Sequence, residues 1–300
     1  MIARTVCFGS PGRLTTHLEQ LVWDGTEGAH ATIPIEDLGF VILETGQISI
    51  STAALQKLSA ANVAVVFCDD KHLPSAQLLA YTGHTTAQET IEAQLAASDA
   101  VNGRLWRQVV RAKIRNQSAL LVRLGQDAVA GRLRTLADTV KNGDPQNNEA
   151  QAARLYFQAL RPSADFLRDP EGCWPNAALN YGYAVLRAAV ARALVGSGLT
   201  CFRGIHHHNR YNAYCLADDL MEPYRPFVDQ YVFGGESPFD GQEESLTPAV
   251  KRKLLELLTC DVQQGKLQRP LAIALTMTSA SLARYFLKKG DELSLPELVP

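Results

Sequence analysis

The chain has 300 residues, of which 46% are hydrophobic and 20% charged, and its formal net charge is −2. This length and apolar content allow a sizeable core in one large or two modest domains. The balanced charge excludes a protein that is basic overall, so a nucleic-acid surface would have to be local. No leading apolar block or long uninterrupted apolar run occurs, which predicts neither a secretion signal nor a membrane span. The six cysteines follow no metal-binding spacing and are typical of a cytoplasmic protein.

Short β segments are predicted in the first 80 or so residues, where runs of strand-forming residues alternate with turn residues. They are 3–8, 20–23, 31–35, 40–43, 48–50 and 63–68, with one helix at about 52–60. From about residue 88 the chain is rich in Ala, Leu, Arg and Gln with a helical period, which predicts successive helices to about residue 289. The predicted fold class is therefore α+β, with a small β-rich domain (1–84) followed by a larger all-helical domain (88–290). Loops are predicted at 162–175 and 234–244.

Four arginines on the first long predicted helix recur at steps of three, four and four residues: Arg104, Arg107, Arg111 and Arg115. This spacing places all four on one helix face. A row of like charges is explained if DNA phosphates neutralise it, so the face predicts DNA binding. The alternative is a solvated basic face, or one that is paired to an acidic neighbour.

Glu149 stands at the start of a helical run that extends to about residue 160, where Asn147 or Asn148 can cap the helix. The helical period places its carboxylate on the same inward face as Tyr156 and Leu160. A carboxylate there loses hydration and needs a donor or a cation as partner. The alternative is a first-turn glutamate that only interacts favourably with the helix dipole.

Three consecutive histidines, 206 to 208, follow Gly204 in a predicted loop. Adjacent loop residues point in different directions, so one or two of these imidazoles can share a site. Zinc is disfavoured because no second His or Cys pair at zinc-finger spacing accompanies them and no Cys-x-x-Cys occurs. Imidazole combined with carboxylate oxygens suits Mg²⁺ or Mn²⁺ better.

A helix predicted at 211–222 carries Asp218, Asp219 and Glu222 on one face near its end, and Pro223 is expected to bend or end it just after Glu222. These carboxylates would repel one another and oppose the helix dipole, and a bound divalent cation would remove both penalties. The alternative is a solvated acidic face. Together with Glu149 and the histidines, this helix predicts a metal site.

Three blocks of the chain resemble the signature blocks of the CRISPR-associated adaptation integrase family, commonly called Cas one, in order, separation and flanking residues: 143–157, 204–207 and 219–226. Segments 33–44, 63–69 and 113–117 are similar to further parts of the family, and 209–212 resembles the subfamily of type II CRISPR systems. The resemblance implies a metal triad of Glu149, His207 and Glu222. His207 stands three residues after Gly204, as in the family's Gly-x-x-His, although the sequence leaves His206 open. The remaining candidate ligands are auxiliary: His206, Asp218 and Asp219.

The resemblance also implies an activity. Members are metal-dependent DNA endonucleases and integrases that insert short foreign DNA fragments into a CRISPR array by transesterification, with Mg²⁺ or Mn²⁺ as cofactor. It implies double-stranded DNA as substrate (the protospacer fragment and the CRISPR repeat), a homodimer formed through the β-rich domain, and the small CRISPR-associated protein two as partner. Two other functions remain open, a non-catalytic DNA-binding scaffold of the same fold and a metallohydrolase of small phosphoesters.

Overall fold

A computed structural model of the chain describes residues 4–70, 72–80, 84–160, 168–169, 172, 174–234 and 245–299. The predicted loops at 162–175 and 234–244, and the predicted boundary near 82–87, lie partly outside these residues. None of the described helices is long and apolar enough to cross a membrane.

The amino-terminal part contains eight strands and one helix in its described residues: β1 (Arg4–Phe8), β2 (Gly12–His17), β3 (Gln20–Gly25), β4 (His30–Pro34), β5 (Leu38–Leu43), β6 (Ile48–Ile50), α1 (Thr52–Ala60), β7 (Ala64–Cys68) and β8 (Pro74–Leu78). They form two four-stranded sheets, with strand orders β4-β3-β2-β6 and β1-β5-β7-β8. The central strand β5 is parallel to both β1 and β7, and all six of its residues are buried. Its alternate side chains pack in two different cores, Val41 among the sheets and Ile42 against the helices.

The predicted strands and helix α1 are confirmed to within two residues, but β2 and β8 were not predicted. Strand β2 forms a hairpin with β3 through a turn at Leu18 and Glu19, both of which have positive φ. Such two-residue turns normally carry Asn or Gly, so the sequence lacks the usual turn signal. Strand β8 begins with Pro74 and pairs only with β7, which is the edge position where proline is tolerated.

The remaining described residues are mainly helical: α2 (Ala87–Leu95), α3 (Asp99–Arg123), α4 (Asp127–Thr139), α5 (Asn148–Leu160), α6 (Asn176–Gly196), α7 (Cys215–Met221), α8 (Arg225–Phe233), α9 (Pro248–Leu255) and α10 (Leu271–Phe286). Helix α3 packs against α4 and α5, and α6 packs against α7 to α10. The two long helices thereby organise one hydrophobic core. A hairpin of two short strands, β9 (Asp261–Gln264) and β10 (Leu267–Pro270), interrupts the helices and was not predicted.

The helix predicted at 211–222 is shorter than expected at its start, and α7 itself ends at Met221, close to the predicted end. A 3₁₀ turn, Glu222–Tyr224, follows α7 directly and leads into α8. Pro223 and Pro226 each lie in the first turn of the next helical segment. Proline is tolerated there because the missing N–H has no helical acceptor anyway. The chain therefore remains helical through Glu222, and this fixes the direction of its carboxylate.

Candidate metal and DNA site

The start of α5 positions Glu149. The carboxylate of Asp144 accepts hydrogen bonds from the backbone N–H groups of Asn148 (3.0 Å) and Glu149 (2.9 Å). Asn147 adds a weaker cap, since its side-chain oxygen lies 3.4 Å from the N–H of Ala150. Of the two expected caps, only Asn147 acts as one, and Asp144 was missed. The capped turn leaves the Glu149 side chain 28% exposed and directed towards α3.

Glu222 lies in the 3₁₀ turn between α7 and α8, and its side chain is only 6% exposed. Arg225 Nη1 lies 2.8 Å from Glu222 Oε1, and Lys113 Nζ lies 2.5 Å from Oε2. Burial alone would raise the pKa of Glu222, but the positive charges of Arg225 and Lys113 lower it to about 2. Glu222 is therefore ionised throughout the neutral range.

Lys113 joins the two predicted acidic ligands. Its ammonium contacts Oε1 of Glu149 as well as Oε2 of Glu222, and its side chain is 8% exposed. No role in the site was predicted for Lys113. The sequence did indicate that Lys113 is buried, because it lies seven residues after Trp106 and therefore on the apolar face of α3. A lysine on a buried face requires an acidic partner.

The histidine loop is organised around Asp219, which is fully buried. Its Oδ2 accepts the backbone N–H groups of Ile205 (2.7 Å) and His206 (2.9 Å), and its Oδ1 accepts that of His207 (3.1 Å). Gly204 permits this arrangement, because a Cβ there would lie 2.7 Å from Asp219 Oδ2 and 2.4 Å from the carbonyl oxygen of His207. Asp219 thus determines the shape of the loop.

His206 and His207 have different surroundings. His207 Nδ1 lies 2.6 Å from Asp219 Oδ1, and this hydrogen bond raises the pKa of His207. His206 stacks on Trp106 with a ring distance of 4.2 Å and an interplanar angle of 2°, and burial lowers its pKa. A carboxylate that fixes one imidazole nitrogen is the usual outer partner of a metal-binding histidine, and it directs Nε2 away. This geometry favours His207 over His206 as the ligand.

The three carboxylates of the predicted acidic face each have a separate partner. Asp218 forms a two-pronged ion pair with Arg187, with both N···O distances at 2.7 Å. Asp219 binds the histidine loop, and Glu222 binds Lys113 and Arg225. Because each carboxylate has its own partner on another element, they do not need a shared cation to offset mutual repulsion.

Among the described residues, no three His, Cys, Asp or Glu side chains lie close enough to hold a metal ion. Lys113 Nζ occupies the space between the two glutamates. The donor types nevertheless fit a hard divalent ion such as Mg²⁺ or Mn²⁺, because such ions prefer carboxylate oxygens as ligands. Oε2 of Glu222 is also buried, and the ammonium of Lys113 lies 2.5 Å from it as an ion pair. Such an oxygen is available to a cation.

The arginine face lies on the other side of α3. Helical geometry separates Arg111 and Arg115 from Lys113 by about 200° around the axis. Both arginines approach the same oxygen of Asp138 on α4, at 3.7 and 3.1 Å. They border a cavity of about 790 Å³ together with Arg134 and residues 292–298. Pairing to an acidic neighbour is the alternative that the sequence had left open for this face.

Arg104 and Arg107 occupy the beginning of the same face. Arg104 is exposed, and its Nε donates a hydrogen bond to the hydroxyl of Tyr285 at 3.3 Å. Arg107 is half-buried, and its Nε has no hydrogen-bond partner among the described residues. Neither guanidinium has an acidic partner in the ion pairs of the described residues. Their positive charge is therefore less compensated than that of Arg111 and Arg115.

The fold and the site define a class of protein: a β-rich region followed by a helical domain whose centre combines the carboxylates of Glu149 and Glu222, an oriented imidazole and a buried ammonium. A family model described as CRISPR associated protein Cas1 matches residues 6–235. The CRISPR-associated endonuclease Cas1 of Neisseria meningitidis serogroup C (strain 8013) is 36% identical over 301 residues, which cover 100% of this chain and 98% of the relative. The chain belongs to the CRISPR-associated Cas1 family, and the family resemblance seen in the sequence is confirmed.

Solved structures share the fold. A casposase bound to an integration product matches with a TM-score of 0.80 at 20% identity, over 98% of this chain and 93% of the casposase. A complex of Cas6-RT-Cas1 with Cas2 matches with a TM-score of 0.75 at 18% identity, over 96% of this chain and 35% of that one. At these identities the likeness concerns the fold alone, and it confirms the α+β class.

Proposed function

We propose that this chain is a metal-dependent DNA endonuclease and integrase, which inserts short foreign DNA fragments into a CRISPR array by transesterification. The observation that carries the proposal is that Glu149 and Glu222, from distant segments, meet at one cation position. Support also comes from the relative in Neisseria meningitidis, which is named an endonuclease. The casposase of the same fold was solved with an integration product.

Glu149, Glu222 and His207 would hold Mg²⁺ or Mn²⁺. When bound, the ion would supply charge stabilisation at the phosphoryl group. Arg225 holds one oxygen of Glu222, so that the other oxygen is directed into the site. Asp219 holds Nδ1 of His207 and thereby presents Nε2. His206, Asp218 and Asp219 are in this proposal auxiliary residues that shape the site.

The proposed reaction exchanges one phosphodiester for another. The 3′-hydroxyl oxygen of the incoming fragment forms a bond to phosphorus at the edge of the repeat and loses its proton. The bond from that phosphorus to the 3′-oxygen of the cut strand breaks, and this oxygen gains a proton. Bonds formed and broken are of the same kind, so the protein has to contribute positioning and charge stabilisation.

We propose that Arg104, Arg107, Arg111 and Arg115 follow the phosphate backbone of double-stranded DNA. DNA would have to displace Asp138 from Arg111 and Arg115, an exposed pairing worth about 0–1 kcal/mol. Arg104→Glu should weaken binding to all DNA sequences and reduce the salt dependence by about one unit of slope. The control is Arg210→Glu, which reverses an exposed arginine in the histidine loop. An unchanged salt slope in Arg104→Glu would show that the face is only solvated.

We further propose that the chain acts as a homodimer formed through its β-rich region, and that the small CRISPR-associated protein two bridges two dimers. The matching complex that contains Cas1 with Cas2 supports this arrangement. Mixing the chain with this partner and measuring the mass of the complex by light scattering tests both. A monomer that stays monomeric with the partner would contradict the proposal.

A non-catalytic DNA-binding scaffold is the second candidate, and one observation favours it. Lys113 neutralises both glutamates, as it would in a purely structural ion-pair network. The test is Mn²⁺-dependent joining of a labelled fragment to a repeat-containing plasmid. Glu149→Gln should abolish joining while DNA binding persists, and Glu89→Gln, in an exposed ion pair with Lys289, should behave like the wild type. A wild-type protein that binds DNA but never cleaves or joins it would establish the scaffold.

A further inference from the structure

Lys113 has the geometry of a stand-in for a metal ion. It is a buried ammonium that contacts one carboxylate oxygen from each of two distant segments, the start of α5 and the 3₁₀ turn after α7. A salt bridge placed only for stability needs one acid for one base. Here one ammonium is shared by two acids, one of which is already paired with Arg225.

We propose that Lys113 is a built-in competitor of the divalent ion. It neutralises Glu149 and Glu222 in the metal-free protein and leaves their shared position when the ion binds. This inference rests on the proposed function, since it concerns the same two glutamates. It adds a property that the family assignment does not contain, namely that a side chain of the protein sets the ion concentration at which the site fills.

The contacts on Glu222 show how the exchange can occur without collapse of the turn. Oε1 accepts Nη1 of Arg225, and the Arg225 guanidinium is held 4.2 Å above the ring of Tyr183. Oε2 faces the ammonium of Lys113 at 2.5 Å. Loss of the ammonium therefore frees one oxygen while the other keeps its cation, and the carboxylate retains its orientation.

Charge counting indicates what the exchange does to the site. In the metal-free protein the two glutamates balance Lys113 and Arg225, so these four side chains sum to zero. A divalent ion that takes the shared position brings the same group to a charge of about +2 if the ammonium stays nearby. A phosphodiester is an anion, so the site becomes attractive to DNA only when the ion is present. Lys113 thereby couples ion binding to substrate binding.

The competition predicts different effects of two substitutions on Mn²⁺ affinity. Lys113→Met retains the length and the apolar stem but removes the charge, so Mn²⁺ should bind at least about tenfold more tightly. Lys113→Arg keeps a competing cation, so its Mn²⁺ affinity should stay close to that of the wild type. In chelator, Lys113→Met should melt below the wild type, because two carboxylates lose their common partner. Excess Mn²⁺ should raise its melting temperature by more than that of the wild type.

Isothermal titration of the full chain with Mn²⁺, without DNA, measures these affinities independently of activity. A lysine with a merely structural role predicts that both substitutions weaken Mn²⁺ binding or leave it unchanged, and this result would overturn the inference. The variants Glu149→Gln and Glu222→Gln distinguish a failure of the competition by Lys113 from a failure of the proposed function. If the wild type binds no Mn²⁺, or binds it equally well without either glutamate, the metal site itself is wrong. If these variants lose binding while Lys113→Met binds like the wild type, only the competition is wrong.

A measurement on the unmodified protein decides the matter if Lys113→Met does not fold. Small amine-reactive reagents label lysines according to their accessibility, and mass spectrometry reads each site. Saturating Mg²⁺ should raise the labelling rate of Lys113 several-fold. Lys251 is the matched control, because it is equally buried and its ammonium lies 3.5 Å from Glu44 in a different part of the fold. Unchanged labelling of Lys113 in a sample that Mg²⁺ stabilises against heat would refute the displacement.

Discussion

Replacement of Asp219 by asparagine tests how the histidine loop is held. The carboxylate receives four donors, three from the backbone and one from His207 Nδ1. An asparagine can retain the two bonds at Oδ2 with its oxygen, but its amide group then faces the N–H and Nδ1 of His207. The imidazole can adapt by accepting from the amide at Nδ1, which places its proton on Nε2. That is the nitrogen which the proposed site needs as a ligand.

The magnitude follows from the groups left unpaired. After the imidazole adapts, only the backbone N–H of His207 lacks an acceptor, which costs about 1–3 kcal/mol. For a chain of 300 residues, about 2 kcal/mol corresponds to a fall of about 3 °C in melting temperature. The effect on metal binding should be larger, because loss of an outer partner of a ligand typically reduces metal affinity by about 10- to 100-fold. Asp219→Asn should therefore fold and yet respond poorly to Mn²⁺.

Asp218→Asn is the matched control, since it is the adjacent residue and undergoes the same chemical change. It weakens a partly exposed pair with Arg187, which should cost about 1 kcal/mol or less and leave the hydrogen bonds between the histidine loop and Asp219 intact. Thermal melts combined with Mn²⁺ titrations of both variants provide the comparison. Equal Mn²⁺ affinities in the two variants, or a normal affinity in Asp219→Asn, would refute this account of the loop.

Two further predictions concern the surroundings of the site. Asn116 donates to the carbonyl oxygens of Pro223 (2.8 Å) and Pro296 (3.0 Å) and accepts the N–H of Leu298. Asn116→Ala should thus cost about 2–4 kcal/mol of stability, speed hydrogen exchange at Leu298 and weaken the Mn²⁺ response. The control Gln108→Ala releases only the N–H of Leu293 and should leave that response intact. Burial raises the pKa of Asp229 from 3.8 to about 6, so the folded protein binds this proton more tightly than the unfolded chain. The stability due to this group should be complete below about pH 4 and be lost as the pH rises through 6. Asp229→Asn should therefore flatten that part of the pH dependence in a series of denaturation curves. An unchanged pH dependence in this variant would assign it to another group.

Sequence reasoning succeeded where the signal is local or where whole blocks resemble a family. Strand β5 and helix α1 follow from periodicity, and the blocks around Glu149 and Glu222 identified the two acids that the fold brings together. It failed where the partner is distant in the chain. The pairs Asp218 with Arg187 and Arg115 with Asp138 depend on how helices pack, which the period of a single helix does not reveal. The partners of the acidic residues near the end of α7 were consequently not predicted.

Lys113 shows the limit most clearly. The predicted DNA-binding face comprised only the arginines of α3, and the helical period separates Lys113 from them. The sequence alone does not tell whether such an inward lysine meets a carboxylate, a phosphate or a backbone carbonyl. The structure supplies this answer, because two elements that lie far apart in the sequence converge on the same side of α3.

Two buried acids on either side of Arg225 show why Glu222 rather than its neighbour is suited to a cation. Glu222 and Asp229 are both buried, but Glu222 contacts the charged groups of Lys113 and Arg225, and its pKa falls to about 2. Asp229 accepts hydrogen bonds from the hydroxyl groups of Tyr156 and Tyr183, and burial keeps its pKa near 6. Phenols stabilise a carboxylate less than full positive charges do. A metal ligand must be ionised to bind the ion, and Glu222 is ionised over a wider pH range than Asp229. Of these two acids, Glu222 is therefore the one suited to the proposed metal site, whereas Asp229 joins helices in the core.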